Sequence, residues 1–206
     1  MKEYDEGLAR DYGSRWTIEE EVREAAACAL SDASGRILDA GCGNGLLLVR
    51  LPPDAFVVGL ERSPWMIDEA RRRAPRSRFV IGDLARLPFR TNAFTVAAAV
   101  NVLWGMKESD ARRGVGELAR VAGRAVLDYR NRANPGILLR RGRDARNPFH
   151  KISVDRFRGW LRAAGLTWTE RPIRRPWSRG FLGALLSRVP GWAPHLLAEG
   201  RRPLPL

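Results

Sequence analysis

Asp39, Gly41, Gly43 and Gly45 fall within seven residues, in the run RILDAGCGNGLL that begins at Arg36. Glycine weakens regular structure, so three at alternate positions mark backbone that must bend, or lie against something, where a side chain would interfere. On the glycines alone, a tight strand-to-helix turn with no ligand remains the competing reading. Two more acids change the balance. Glu61 closes the apolar run AFVVGLE (55–61) and Asp83 closes RFVIGD (78–83). In an open α/β sheet, ligands bind beyond the carboxyl ends of the strands, where an acid accepts hydrogen bonds from both hydroxyls of a ribose. By that logic Glu61 suits a ribose and Asp83 suits the amino group of an adenine. Asp39 lies beside the amino-acid or phosphate end of such a ligand. The glycine spacing is G-x-G-x-G, with Leu46 where the dinucleotide fingerprint G-x-G-x-x-G needs its third glycine. A dinucleotide therefore fits less well than a single adenosyl unit.

These acids and glycines need a frame, and helix and strand patterns alternate along the chain. TIEEEVREAAACALS (17–31) places Ile18, Val22, Ala25, Ala29 and Leu30 on one helical face, with Thr17 and Glu20 spaced as a capping box. RILDAG reads as the first strand and 46–51 as a helix after the glycines. AFVVGLE reads as the second strand, and 63–74 as a helix capped by Ser63 with Pro64 in its first turn. RFVIGD is the third strand, and AFTVAAAVN (93–101) the fourth, apolar enough to be covered on both faces. A helix over 108–122 precedes a fifth strand over 124–130. A further helix over 153–165, capped by Ser153 and stopped by Gly165, puts Val154, Phe157, Leu161 and Ala164 on one face. LTWTER and HLLAEGRR supply two more strands. Repeated β-α units predict an α/β fold, a doubly wound, mostly parallel sheet with helices on both faces.

At these residues the chain resembles the class I S-adenosylmethionine-dependent methyltransferases, especially their small type 11 or UbiE-like members. The shared stretches read LDAGCGNG, VVGLERSPWMIDEAR, GDLARLPF, TNAFTVAAAVNVLWGM and ELARVAGRAVLDYRN, and span roughly Arg36 to Arg130. The resemblance implies a seven-stranded Rossmann-like sheet whose last strand is antiparallel. It implies S-adenosyl-L-methionine as cofactor, with Asp39, Gly41 and Gly43 along its methionine part and Glu61 on the ribose. Arg62, Met66, Asp83 and Leu84 would surround the adenine, and Asn101 and Val102 would lie near the sulfonium. Among the N-terminal aromatics Tyr4, Tyr12 and Trp16, Tyr12 is the one expected to close over the cofactor. The link RVAGRAVL departs from the family's usual turn before the fifth strand.

The length of 206 residues suits one domain, 1–206, with an N-terminal helical cap (1–33) and two basic inserts, 131–150 and 172–193, on the substrate side. The net charge of +13 is polarised: the first sixty residues are net acidic and the last third strongly basic. All but three of the basic residues are arginine, which codon usage explains better than it explains the polarity. The polarity points to an anionic or amphiphilic small acceptor, such as a lipid, quinone or secondary metabolite. In the second insert, arginines, leucines and flanking Trp177 and Trp192 are patterned either like a lid whose apolar face packs on the sheet or like an element at a membrane surface. With no apolar span and no secretory leader in the sequence, a cytoplasmic protein with peripheral membrane contact is expected. Two cysteines and two histidines give no metal-ligand spacing, so no metal is expected. Trp104 could offer a ring face to a cationic methyl group. His150 and Tyr129 are the expected proton acceptors for a hydroxyl nucleophile, with Arg130 beside Tyr129 at the same mouth. RNA methylation by the arginine-rich C-terminal third is the alternative activity, although no RNA-binding module is evident. A non-catalytic protein that retains the fold is the third reading, against which the acids at 39, 61 and 83 argue.

Overall fold

A computed structural model describes residues 17–131, 152–173 and 195–203, with side chains from Glu20 onward at the first of these segments. Tyr4, Tyr12, Trp16, His150 and nearly all of both basic inserts lie outside the described residues. The elements in order are α1 (Thr17–Ala29), β1 (Arg36–Ala40), β2 (Phe56–Glu61), α2 (Pro64–Arg73), β3 (Arg78–Ile81), β4 (Phe94–Ala99), α3 (Glu108–Val121), β5 (Ala122–Arg130), α4 (Val154–Ala163), β6 (Thr167–Pro172) and β7 (His195–Arg201). The seven strands form one sheet in the order β3-β2-β1-β4-β5-β7-β6. Strands β1 to β5 are parallel, and β7 runs antiparallel to both β5 and β6. The order in which successive strands are added changes direction between β1 and β4, which opens a crevice at the carboxyl ends of those strands.

Alternation along the strands divides the core in two. Ala125, Leu127 and Tyr129 of β5 join the layer beneath α3 and α4, with Leu118, Phe157 and Leu161. Val126 joins the layer beneath α1, with Val22, Ala26 and Leu30. Helix α3 buries Ala111, Gly114, Val115, Leu118 and Ala119, and each large aliphatic among them contributes about 1.5–3 kcal/mol by leaving water. The caps form where the sequence places them. The Ser63 hydroxyl accepts the Met66 N–H at 3.4 Å, the Ser153 hydroxyl accepts the Arg156 N–H at 3.3 Å, and Gly165 ends α4 at φ +71°.

Three expectations are corrected. The helix expected over 46–51 is only a 3₁₀ turn, Leu48–Arg50, because the backbone is still reversing through Gly45 at φ +83°. The Glu20 carboxylate takes Arg23 and, across to the 3₁₀ turn, Arg50; the capping box expected with Thr17 rests on a side chain outside the described residues. Strand β3 stops at Ile81 and β4 at Ala99, so Asp83 and Asn101 sit just past their strands, in the turns. The basic inserts are shorter at their starts than expected: Asn131 still bridges Ile152, and Pro172 belongs to β6.

Candidate functional site: the glycine turn after β1

Strand β1 lies between β2 and β4, with Asp39 in register with Gly59 on one side and Ala98 on the other. Neither neighbour has a bulky side chain, so the carboxylate has lateral room. Asp39 is 1% exposed, and its Oδ2 has no hydrogen-bond partner. Burial, and then the nearby charge of Glu61, push its pKa up to about 7. A buried carboxylate left short of donors is unfavourable unless something else supplies them.

The turn above it is built by backbone. The Leu60 carbonyl accepts the N–H groups of Gly41 at 2.7 Å and Cys42 at 3.0 Å, which docks the turn on the end of β2. Gly41 (φ +85°) cannot be replaced: a Cβ there would lie 2.6 Å from a Val102 methyl. That contact brings the turn after β4 against the turn after β1. Gly43 (φ +52°) is different. A Cβ there would meet nothing within 4 Å, so the absence of a side chain keeps a space open rather than relieving a protein contact. Helix α2 holds the far side, where the Arg73 guanidinium donates to the Asn44 carbonyl at 2.9 Å.

Glu61 is brought to the same place. Its Oε2 accepts the Gly43 N–H at 3.2 Å, and its Oε1 accepts the N–H groups of Arg62 at 2.7 Å and Ser63 at 3.1 Å. Three donors leave the carboxylate with one accepting position by ordinary lone-pair counting, so a ligand that needs two must displace the Gly43 amide. Asp83 spends one oxygen on the Ala85 N–H at 2.9 Å, which closes its own turn. Met66 and Leu84 are buried beside these turns, and Arg62 is exposed.

On the acceptor side the structure separates two residues expected together. Tyr129 points into the α3/α4 layer and stacks on Phe157, ring centroids 4.0 Å apart. Burial, and next the Glu170 charge, hold its hydroxyl well above the usual phenol range, so it is a reluctant proton acceptor. Alternation sends Arg130 to the opposite face, where its guanidinium lies 3.8 Å from the centre of the Trp104 ring. A cation thus already covers one face of that tryptophan. Sequence reasoning passed over Asp128. Its Oδ1 accepts the Asn101 N–H and its Oδ2 lies 3.6 Å from His195 Nε2, Asp128 and His195 both being buried. The available signal was an acid inside the apolar strand RAVLDYR, where a charge has to have a structural or chemical reason. Among the described residues no group of histidine, cysteine, aspartate and glutamate could hold a metal ion.

A protein-family model described as a methyltransferase domain matches residues 37–124, from β1 to the start of β5. Over that stretch the chain is similar to methyltransferase domains. It is 33% identical over 136 residues to the demethylmenaquinone methyltransferase of Beutenbergia cavernae, covering 59% of this chain and 55% of that protein. It is 47% identical over 58 residues to the trans-aconitate 2-methyltransferase of Methylobacterium nodulans, covering 27% and 22%. The chain thus spans about half the length of the first of these relatives and less of the second. Among solved structures, the magnesium protoporphyrin IX methyltransferase of Synechocystis with bound SAH superposes with a TM-score of 0.72 at 18% identity, over 94% of this chain and 92% of that one. The YcgJ protein of Bacillus subtilis gives 0.69 at 17% identity, over 90% and 100%. These two structural likenesses establish the shared fold, and the methyltransferase match makes S-adenosylmethionine the cofactor to test against the site.

The site fits that methyltransferase cofactor on its own chemistry. Asp39 has an unsatisfied acceptor for an ammonium group, Gly43 borders open space, Glu61 ends β2 and Asp83 lies in the turn just past β3, in the sheet order β1-β2-β3.

Proposed function

We propose that the protein transfers the methyl group of S-adenosylmethionine to a small anionic or amphiphilic acceptor. The observation that carries this is the buried Asp39 carboxylate, lacking a donor, below a glycine turn that is open at Gly43. When bound, the cofactor supplies a methyl group made electrophilic by its sulfonium, so the protein's task is mainly alignment and exclusion of water. Asp39 takes the ammonium of the methionine part and is ionised by doing so. Glu61 exchanges the Gly43 amide for the ribose hydroxyls, and the released amide remains in the turn as a donor. Asp83, with Arg62, Met66 and Leu84 around it, holds the adenine. Asn101 and Val102 border the sulfonium end. Arg130, stacked on Trp104, gives the acceptor side a positive wall suited to an acid or a quinone oxygen. His150 is our proton acceptor for a hydroxyl nucleophile, Tyr129 being held in the core.

The names of the relatives support a small acceptor: a quinone in one case and a tricarboxylic acid in the other. A second reading is favoured by the 33% identity over 73 residues to a yeast tRNA (carboxymethyluridine(34)-5-O)-methyltransferase, together with the arginine content. The experiment is transfer of a tritiated methyl group from S-adenosylmethionine to demethylmenaquinol, trans-aconitate and bulk tRNA in parallel. Label in either small acceptor supports the proposal. Label confined to tRNA replaces it with the second reading, and a folded protein that labels none of the three refutes the choice of acceptor class. We place the reaction in the cytoplasm, with peripheral membrane contact when the acceptor is a lipid or quinone.

A further inference from the structure

Asp128 and Arg130 occupy alternate positions at the tip of β5 and so project from one face of the sheet. Both reach the same piece of chain. The Asp128 Oδ1 accepts the backbone N–H of Asn101, the first residue of the turn after β4 that departs from ordinary geometry, at φ +60°. Arg130 lies on the ring of Trp104 at 3.8 Å, inside the 3₁₀ turn Leu103–Gly105. Between these two ties stands Val102, whose methyl occupies the space that a Cβ at Gly41 would need. The tip of β5 thus fixes both ends of the turn after β4, and that turn presses on the first glycine of the cofactor turn. Behind Asp128, the imidazole of His195 at the start of β7 lies 3.6 Å from its other oxygen.

We infer that Asp128 is a positioning residue for the sulfonium half of the cofactor site, acting through Asn101 and Val102 rather than by touching the ligand, with His195 as its buried partner. The logic is conformational. Asparagine tolerates the left-handed region better than most side chains but still pays for it, so a bond that fixes its amide helps hold it there. The hydrogen bond to an acidic oxygen is such a tie, and charge-assisted bonds are the strong ones. Without it, Asn101 relaxes, Val102 leaves Gly41, and the wall beside the methionine part moves. The adenine half is built on β2, β3 and α2, on the other side of β1 from this tie, and should not respond. The inference rests on the cofactor assignment proposed above.

The test uses the full chain and three probes: S-adenosylhomocysteine, S-adenosylmethionine and adenosine, titrated calorimetrically. Wild-type protein that is folded but binds neither S-adenosyl compound refutes the cofactor assignment itself. Given wild-type binding, Asp128→Ala should weaken both S-adenosyl compounds about tenfold while adenosine stays within about twofold. Asp128→Asn, which keeps an oxygen for the Asn101 amide, should return S-adenosylhomocysteine to within about threefold of wild type. An equal loss for adenosine, or no loss for any probe, overturns the inference, as does an asparagine variant no better than alanine. Should Asp128→Ala fail to fold, amide exchange by NMR in the wild-type protein reads the same tie. Slow exchange at Asn101 supports it, and exchange at the rate of an exposed amide overturns it.

Discussion

Lowering the pH from 7 to 6 should weaken binding of S-adenosylhomocysteine about fivefold, because Asp39 must be ionised to receive an ammonium group and burial opposes that. With its pKa raised to about 7 in the free protein, about half of the molecules carry the charge at pH 7 and about one in eleven at pH 6. Binding the cation selects the ionised form, so affinity rises with pH through 7 and levels off near pH 8, about twofold higher, and close to one proton is released per ligand bound at pH 6. Calorimetric titration in two buffers of different ionisation enthalpy reads both quantities. Asp39→Asn should flatten the profile and weaken binding at pH 7. The same substitution should stabilise the ligand-free protein. A carboxyl whose folded pKa lies above its unfolded value of about 3.8 contributes stability that is present below pH 4 and lost as the pH rises to 7. The full loss is on the order of 4 kcal/mol as an upper bound. The Asp39→Asn variant should therefore melt higher than wild type at pH 8, with the difference shrinking toward pH 4. An affinity that is constant between pH 6 and 7, with no proton release, would refute the reasoning.

Gly41→Ala and Gly43→Ala should part company. The first drives a Cβ into Val102 and should cost folding stability by about 2 kcal/mol or more, read as a lower melting temperature. The second meets open space and should cost only the backbone strain of about 1–2 kcal/mol, yet abolish measurable S-adenosylhomocysteine binding. Tyr129→Phe should bind and turn over within about twofold of wild type, whereas Tyr129→Ala, which removes the ring stacked on Phe157, should lose about 3–5 kcal/mol of stability in urea denaturation. Arg73→Ala removes the donor to the Asn44 carbonyl and should weaken the cofactor by about 0.5–1.5 kcal/mol in the same titration.

Much of the frame was legible because its signals are local. Ser63-Pro64 and Ser153 cap helices by hydroxyl chemistry that depends on neighbours a few residues away, and the apolar runs 56–61 and 94–99 identify strands by composition. The glycines and the acids at 39, 61 and 83 were legible for the same reason, being fixed in place by strand ends. What was not legible depended on distant chain. The 46–51 segment has helical composition, but its path is set by the glycine turn that precedes it and by Arg50 reaching Glu20 on α1. Tyr129 and Arg130 adjoin in sequence, and only the pleat of β5 sends one to the core and the other to Trp104. Asp128 gains its meaning from Asn101, 27 residues away, and from His195 on an antiparallel strand. No periodicity announces such a pairing.

Titration of the folded full chain with S-adenosylhomocysteine at about pH 7.5, beside Glu61→Ala, tests the central claim most directly. We expect one binding site per chain in the wild type and an affinity lower by about 1–3 kcal/mol in the variant, the cost of a lost charge-assisted hydrogen bond to the ribose. No binding heat from well-folded wild-type protein, or equal affinity in the two proteins, would contradict the account.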